Sequence, residues 1–106
     1  MAQSKLVRDK IPDIIRASGA EPLIRTADSA EYSRLLREKL QEEVAEVIAA
    51  EDPPSTLEEL ADVMEVVLAY AAHLGAEPEQ LNAVRQAKEA ERGGFCTRIV
   101  WSGDCR

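Results

Sequence analysis

Five carboxylates stand out by residue type and spacing. Glu42-Glu43-x-x-Glu46 is followed along the chain by Glu59-x-x-Asp62. An α-helix turns about 100° per residue, so Glu43 and Glu46 lie about 60° apart on one helix face. Glu59 and Asp62 hold the same relation on the next predicted helix. A loop containing Pro53 and Pro54 separates the two, and short loops favour antiparallel neighbours. The two pairs can then face each other across a hairpin. Converging carboxylates repel one another in a partly buried site; they need raised pKa values, basic partners or a metal. Hard oxygen donors without His or Cys suit Mg²⁺ or Mn²⁺ and do not suit Zn²⁺. Mg²⁺ held by a few carboxylates commonly carries substrate phosphates in its remaining positions. An E-E-x-x-E run also reads as a solvated acidic face. The second pair fits that reading less well, because its helix is apolar round much of its girth. The pattern alone leaves both readings open.

The basic ends of the chain supply a complement. Lys5, Arg8 and Lys10 cluster near the N-terminus, and Lys88, Arg92 and Arg98 surround Gly93–Gly94. Arg grips phosphate with a planar fork, while Lys acts as a point charge. Each also reads as a surface charge paired with Asp9, Glu89 or Glu91, and a helix stop accounts for the two glycines. The P-loop pattern G-x-x-x-x-G-K-[ST] is absent. His73, the single histidine, sits near a predicted helix end and reads as a cap or surface residue. Phe95 reads as an anchor after the glycine turn, and Trp101 as packing the tail onto the helices or a neighbouring subunit, or else as stacking on a base.

Helical elements must position these groups. Pro12 and Gly19 bracket a short helix over 11–18, and residues 21–27 read as extended. Asp28 with Glu31 fits a capping box. The helix behind it carries Tyr32, Leu35, Leu36, Leu40, Val44, Val47 and Ile48 at spacings of three and four, and runs to about Ala50. Ser55 with Glu58 fits a second capping box, followed by Leu57, Leu60, Val63, Met64, Val67, Leu68, Ala71 and Leu74, with Gly75 as the stop. Pro78 opens a fourth helix that Gly93–Gly94 ends. Residues 95–101 alternate weakly and read as a short strand or extended tail. The expected architecture is all-α: one domain over 1–106, a helical hairpin core that dimerises into a four-helix bundle, and a short extended C-terminal segment.

Composition sets the frame. The 106 residues hold 13 Lys+Arg and 20 Asp+Glu, a net charge of −7, which argues against a nucleic-acid module that works by neutralising phosphates. Residues 38–65 hold ten of the acids and one base, Lys39. The aromatic content of 4% leaves Leu, Val, Ile and Ala to build the core. So small a domain gains stability from oligomerisation. The longest apolar run, 66–72, is too short to span a bilayer, and the N-terminus lacks a signal-peptide pattern. Cys96 and Cys105 have no metal-ligand spacing, so a reduced, cytoplasmic protein is expected. A disulfide between them is compatible with the sequence and required by nothing in it.

The two carboxylate motifs resemble the shared signature of the all-α nucleoside triphosphate pyrophosphohydrolases, which include MazG-like proteins, dimeric dUTPases and phosphoribosyl-ATP pyrophosphohydrolases. Lys5-Leu6-Val7-Arg8-Asp9-Lys10-Ile11-Pro12 and Glu91-Arg92-Gly93-Gly94-Phe95 are similar to the ends of a small branch, the predicted house-cleaning noncanonical NTP pyrophosphatases. The resemblance implies dimers or tetramers that cleave a nucleoside triphosphate to monophosphate and pyrophosphate with Mg²⁺, Mn²⁺ being a possible substitute. It implies Glu43, Glu46, Glu59 and Asp62 as metal ligands, and Glu42 as the residue that orients or deprotonates water. Glu65 is a possible supplement. Lys5, Arg8, Lys10 and Arg92 would contact the substrate. The chemistry suits the residues, since phosphoanhydride hydrolysis needs charge neutralisation and an aligned water more than a covalent nucleophile. The short spacer from Glu46 to Glu59 trims the inter-helix loop relative to the family. The chain's size leaves base recognition to a partner subunit or to absent elements. Phosphoribosyl-ATP hydrolysis is the alternative enzyme reading. The alternatives outside enzymology are a helical dimerisation or adaptor module and a nucleotide sensor without turnover.

Overall fold

The computed structural model describes residues 4–105. Four helices follow one another: α1 (Ile11–Ala17), α2 (Ser29–Ala49), α3 (Pro53–His73) and α4 (Pro78–Arg92). The all-α reading holds. No strand occurs among the described residues, so the weak alternation over 95–101 forms none. Its start folds into a turn instead: Arg98 N–H donates to Phe95 O at 3.2 Å, and Arg98 takes a φ of 60°. A strand needs a partner's ladder, and no sheet edge occurs among the described residues.

The helix boundaries follow from local chemistry. Asp28 caps α2, accepting the Glu31 N–H at 2.9 Å. The box is only half made, because the Glu31 carboxylate turns away and takes the Arg25 guanidinium. That guanidinium holds the Glu31 carboxyl below the usual range, against a smaller desolvation effect. The start of α3 differs from the sequence expectation. Asp52, not Ser55, is the cap: its carboxylate accepts Ser55 N–H at 2.8 Å and Ser55 Oγ at 3.1 Å. The helix therefore opens at Pro53, and both prolines lie within its first turn rather than in a loop. There the missing N–H groups would have had no helical partner anyway. At the far end Gly75 adopts φ 89°. The Ala76 and Gly75 N–H groups then reach Ala71 O at 2.9 Å and Ala72 O at 3.0 Å, a Schellman closure that L side chains resist.

With residues 50–52 alone between them, α2 and α3 form a tight antiparallel hairpin, the element that matters for the site. Leu35 and Leu36 from α2 and Val66 and Ala71 from α3 are its buried apolar residues. Of the other helices, α2 and α4 pack on α3. A compact chain of this length has a radius of gyration of about 13 Å; this one has 18.1 Å. Large apolar side chains stay uncovered, among them Ile48, Leu57, Met64, Phe95 and Trp101. No helix of the described residues is long and apolar enough to cross a membrane.

Candidate metal centre

Each carboxylate of the cluster is positioned by helical spacing within its element and by the hairpin between elements. Glu43 and Glu46 project from α2, Glu59 and Asp62 from α3. One oxygen of each lies within 4.8 Å of one from every other. Oxygens sharing one Mg²⁺ lie about 3–4 Å apart at metal–oxygen distances near 2.1 Å, so small side-chain movements suffice. Glu43 is buried, with 6% of its surface exposed. Its Oε2, and that of Glu59, are buried without any hydrogen-bond partner. Unpartnered buried carboxylate oxygens are costly. Two of them on residues of a four-carboxylate cluster fit a divalent cation, and the all-oxygen donor set fits Mg²⁺ or Mn²⁺.

The electrostatics agree. Burial pushes the Glu43 carboxyl above its ordinary range, with Glu46 reinforcing the shift and the Lys39 ammonium opposing it. Lys39 Nζ sits 3.3 Å from Glu43 Oε1 and 3.4 Å from Glu42 Oε2. In the sequence Lys39 stands out only as the one base of the acidic stretch. Its spacing three and four residues before Glu42 and Glu43 was the signal that placed it beside them.

The remaining sequence-derived residues divide. Glu42 is half-buried beside Glu43 and is held by Lys39 and by Lys5, whose Nζ is 3.6 Å from Glu42 Oε1. Arg8 reaches the cluster itself, with Nη2 2.5 Å from Asp62 Oδ1 and Nη1 3.9 Å from Glu65 Oε1. Glu65 thus borders the site. Lys10 lines a groove together with Arg8, Glu43 and Asp62, without an ion pair among the described residues. Arg92 ends α4, exposed, and does not line that groove. His73 stands outside the cluster and meets Tyr32 edge-on at 5.0 Å. Cys96 and Cys105 are free and exposed.

A groove of about 520 Å³ runs from Glu43 and Asp62 between the N-terminal segment and the hairpin. Leu6, Val7 and Ile11 form one wall, and Leu36, Val66 and Ala69 another. The sequence carries no local signal for it, because its walls meet only through tertiary packing.

Comparison with known proteins bears on the same residues. An uncharacterized protein of Mycolicibacterium smegmatis is 53% identical over 55 residues, which are 52% of this chain and 56% of the relative. The chain thus spans little more than half the length of the curated relative it matches. No solved structure matches. The model of the family described as phosphoribosyl-ATP pyrophosphohydrolase matches residues 14–88. That span contains both carboxylate motifs and Lys39, and excludes Lys5, Arg8, Lys10 and Arg92. With most of its length and the whole carboxylate cluster inside that match, the chain belongs to the phosphoribosyl-ATP pyrophosphohydrolase family, one of the MazG-like all-α pyrophosphohydrolases.

Proposed function

We propose that this protein is a divalent-cation-dependent pyrophosphohydrolase that converts a nucleoside triphosphate and water into the monophosphate and pyrophosphate. The observation that carries this is the convergence of Glu43, Glu46, Glu59 and Asp62, with two buried oxygens left unpartnered. These four would hold Mg²⁺, or Mn²⁺ in its place. A bound divalent cation supplies charge neutralisation for the phosphates and for the pyrophosphate leaving group. Glu42 orients a water and takes its proton; Lys39 and Lys5 fix the Glu42 carboxylate for that role. Arg8 and Lys10 line the groove as partners for the triphosphate. Lys5, paired with Glu42, and Arg92, at the end of α4 outside the groove, are the two further cations proposed for substrate, and serving it would take each of them away from its place in this structure. No side-chain nucleophile takes part.

Two substrate classes are favoured by different observations. The family description favours phosphoribosyl-ATP. The segments 5–12 and 91–95 lie outside the family match and favour house-cleaning of noncanonical or excess nucleotides. The working unit we propose is a homodimer or homotetramer, supported by the uncovered apolar side chains of the hairpin. A cytoplasmic location is part of the proposal, supported by two exposed free thiols.

Incubation with Mg²⁺, phosphoribosyl-ATP and a panel of canonical and damaged nucleotides tests the reading. Pyrophosphate and a monophosphate product are expected in equal amounts. Glu43→Gln and Asp62→Asn should each lower the rate by about a hundredfold or more while helical content is retained. Orthophosphate with a diphosphate product, or full activity in both variants, refutes the assignment. Tight nucleotide binding without turnover would point to a sensor.

A further inference from the structure

The N-terminal segment reaches across the hairpin and sets its guanidinium on a metal-ligating carboxylate. Arg8 and Asp62 are 54 residues apart in the chain, so this contact is made by the fold and not by helical spacing. It is the closest ion pair at the cluster, at 2.5 Å, and the second prong of Arg8 leans toward Glu65 at 3.9 Å. Arg8 also lines the groove that leads from Asp62. Both partners keep access to solvent, with side-chain exposures of 55% and 39%. The pair is therefore screened and cheap to open.

A guanidinium at this distance and a divalent cation on the same carboxylate repel each other. Resting on the metal-centre reading above, we propose that Arg8 is an exchangeable counter-ion of Asp62. It neutralises the carboxylate while the centre is metal-free. A cation that takes Asp62 displaces it. The freed guanidinium then stays in the groove it already lines, where an anionic phosphate chain is its next partner. Cation and anionic substrate then favour the same state of the segment, with Arg8 off Asp62, so each tightens the other's binding. An Arg serves this exchange better than a Lys, because its fork fits carboxylate and phosphate alike.

The test is Mn²⁺ binding to the full chain without nucleotide, read as free Mn²⁺ by electron paramagnetic resonance. Wild type should bind saturably and Glu43→Gln should not. Arg8→Ala and the stem-retaining Arg8→Gln should each bind Mn²⁺ about fivefold more tightly than wild type, the scale of one exposed ion pair. Lys10→Ala removes the same charge from the same groove without touching a carboxylate, and should stay within about twofold of wild type. Amide exchange over residues 5–11 should rise when Mn²⁺ is added to wild type, and should already be raised in metal-free Arg8→Gln. Wild-type affinity in both Arg8 variants, or equal tightening by Lys10→Ala, overturns the exchange and leaves the metal centre standing. Absence of saturable binding by wild type overturns the metal centre itself, and the exchange with it.

Discussion

Glu43 is the residue in which the conflict between folding and function is sharpest. Its carboxyl is buried, one oxygen has no partner, and burial raises its pKa despite Lys39. The folded protein therefore prefers it protonated more strongly than the unfolded chain does. Its contribution to stability is fully present below the ordinary carboxylate pKa and is lost as pH rises through the raised folded value. At neutral pH the metal-free protein carries that cost. Glu43→Gln removes the buried charge and keeps the shape. The metal-free variant should melt higher than wild type at pH 7 by roughly 2–5 °C, and the difference should shrink as pH falls through the carboxylate range. Added Mg²⁺ should stabilise wild type and not the variant. Thermal melts at several pH values, with and without Mg²⁺, check this. Residue types and spacing made this site legible: E-E-x-x-E and E-x-x-D on adjacent helices were enough to bring four carboxylates together. The Arg8–Asp62 contact was not legible, because no local periodicity links an irregular segment to a helix 54 residues on.

At the scale of elements, most of the helix limits could be read from caps and breakers, and α3 shows where such reading stops. Both Asp52 and Ser55 are good cap residues. A sequence cannot say which wins when a Pro-Pro pair lies between them. The structure resolves it by placing the prolines where helices tolerate them and giving Asp52 two hydrogen bonds to Ser55. These bonds lower the Asp52 pKa. The cap's contribution is therefore present above the ordinary carboxylate pKa and lost as pH falls through the depressed folded value. This is the opposite sign to Glu43. The cap also fixes the entry of α3, which sets the register of Glu59 and Asp62 against Glu43 and Glu46. Asp52→Ala should thus lower the melting temperature by several degrees at pH 7 and weaken Mg²⁺ binding, although Asp52 is no ligand. Asp52→Asn, which still caps without charge, should restore both at neutral pH and lose the acid dependence. Calorimetric melts and Mg²⁺ titrations of the two variants separate capping from charge.

The whole molecule poses a different problem, since so extended a chain buries few apolar residues of its own. The uncovered side chains of the hairpin are not scattered. Val44 and Ile48 recur at helical spacing on α2, as do Leu57, Leu60 and Met64 on α3. Ile48 and Leu57 lie on either side of the hairpin turn. Uncovered apolar side chains at this spacing are the material of the interaction surface proposed above. Two hairpins joined through it would give the four-helix bundle expected from the apolar girth of α3, with the carboxylates on faces turned away from Leu60 and Met64. Stable interfaces of this sort bury on the order of 1,600 Å² in total, within the reach of two helices of about 31 Å each. Charge placed on that surface should break the assembly. On the oligomer proposed above, wild type should run as a dimer or larger in light scattering, and Leu57→Glu with Met64→Glu as an 11.7 kDa monomer. The melting temperature of wild type should rise with protein concentration, and that of the double variant should not. Because the cluster lies within one hairpin, the monomeric variant should still bind Mn²⁺ wherever it remains helical. Loss of Mn²⁺ binding in a helical monomer would instead mean that the second copy completes the centre.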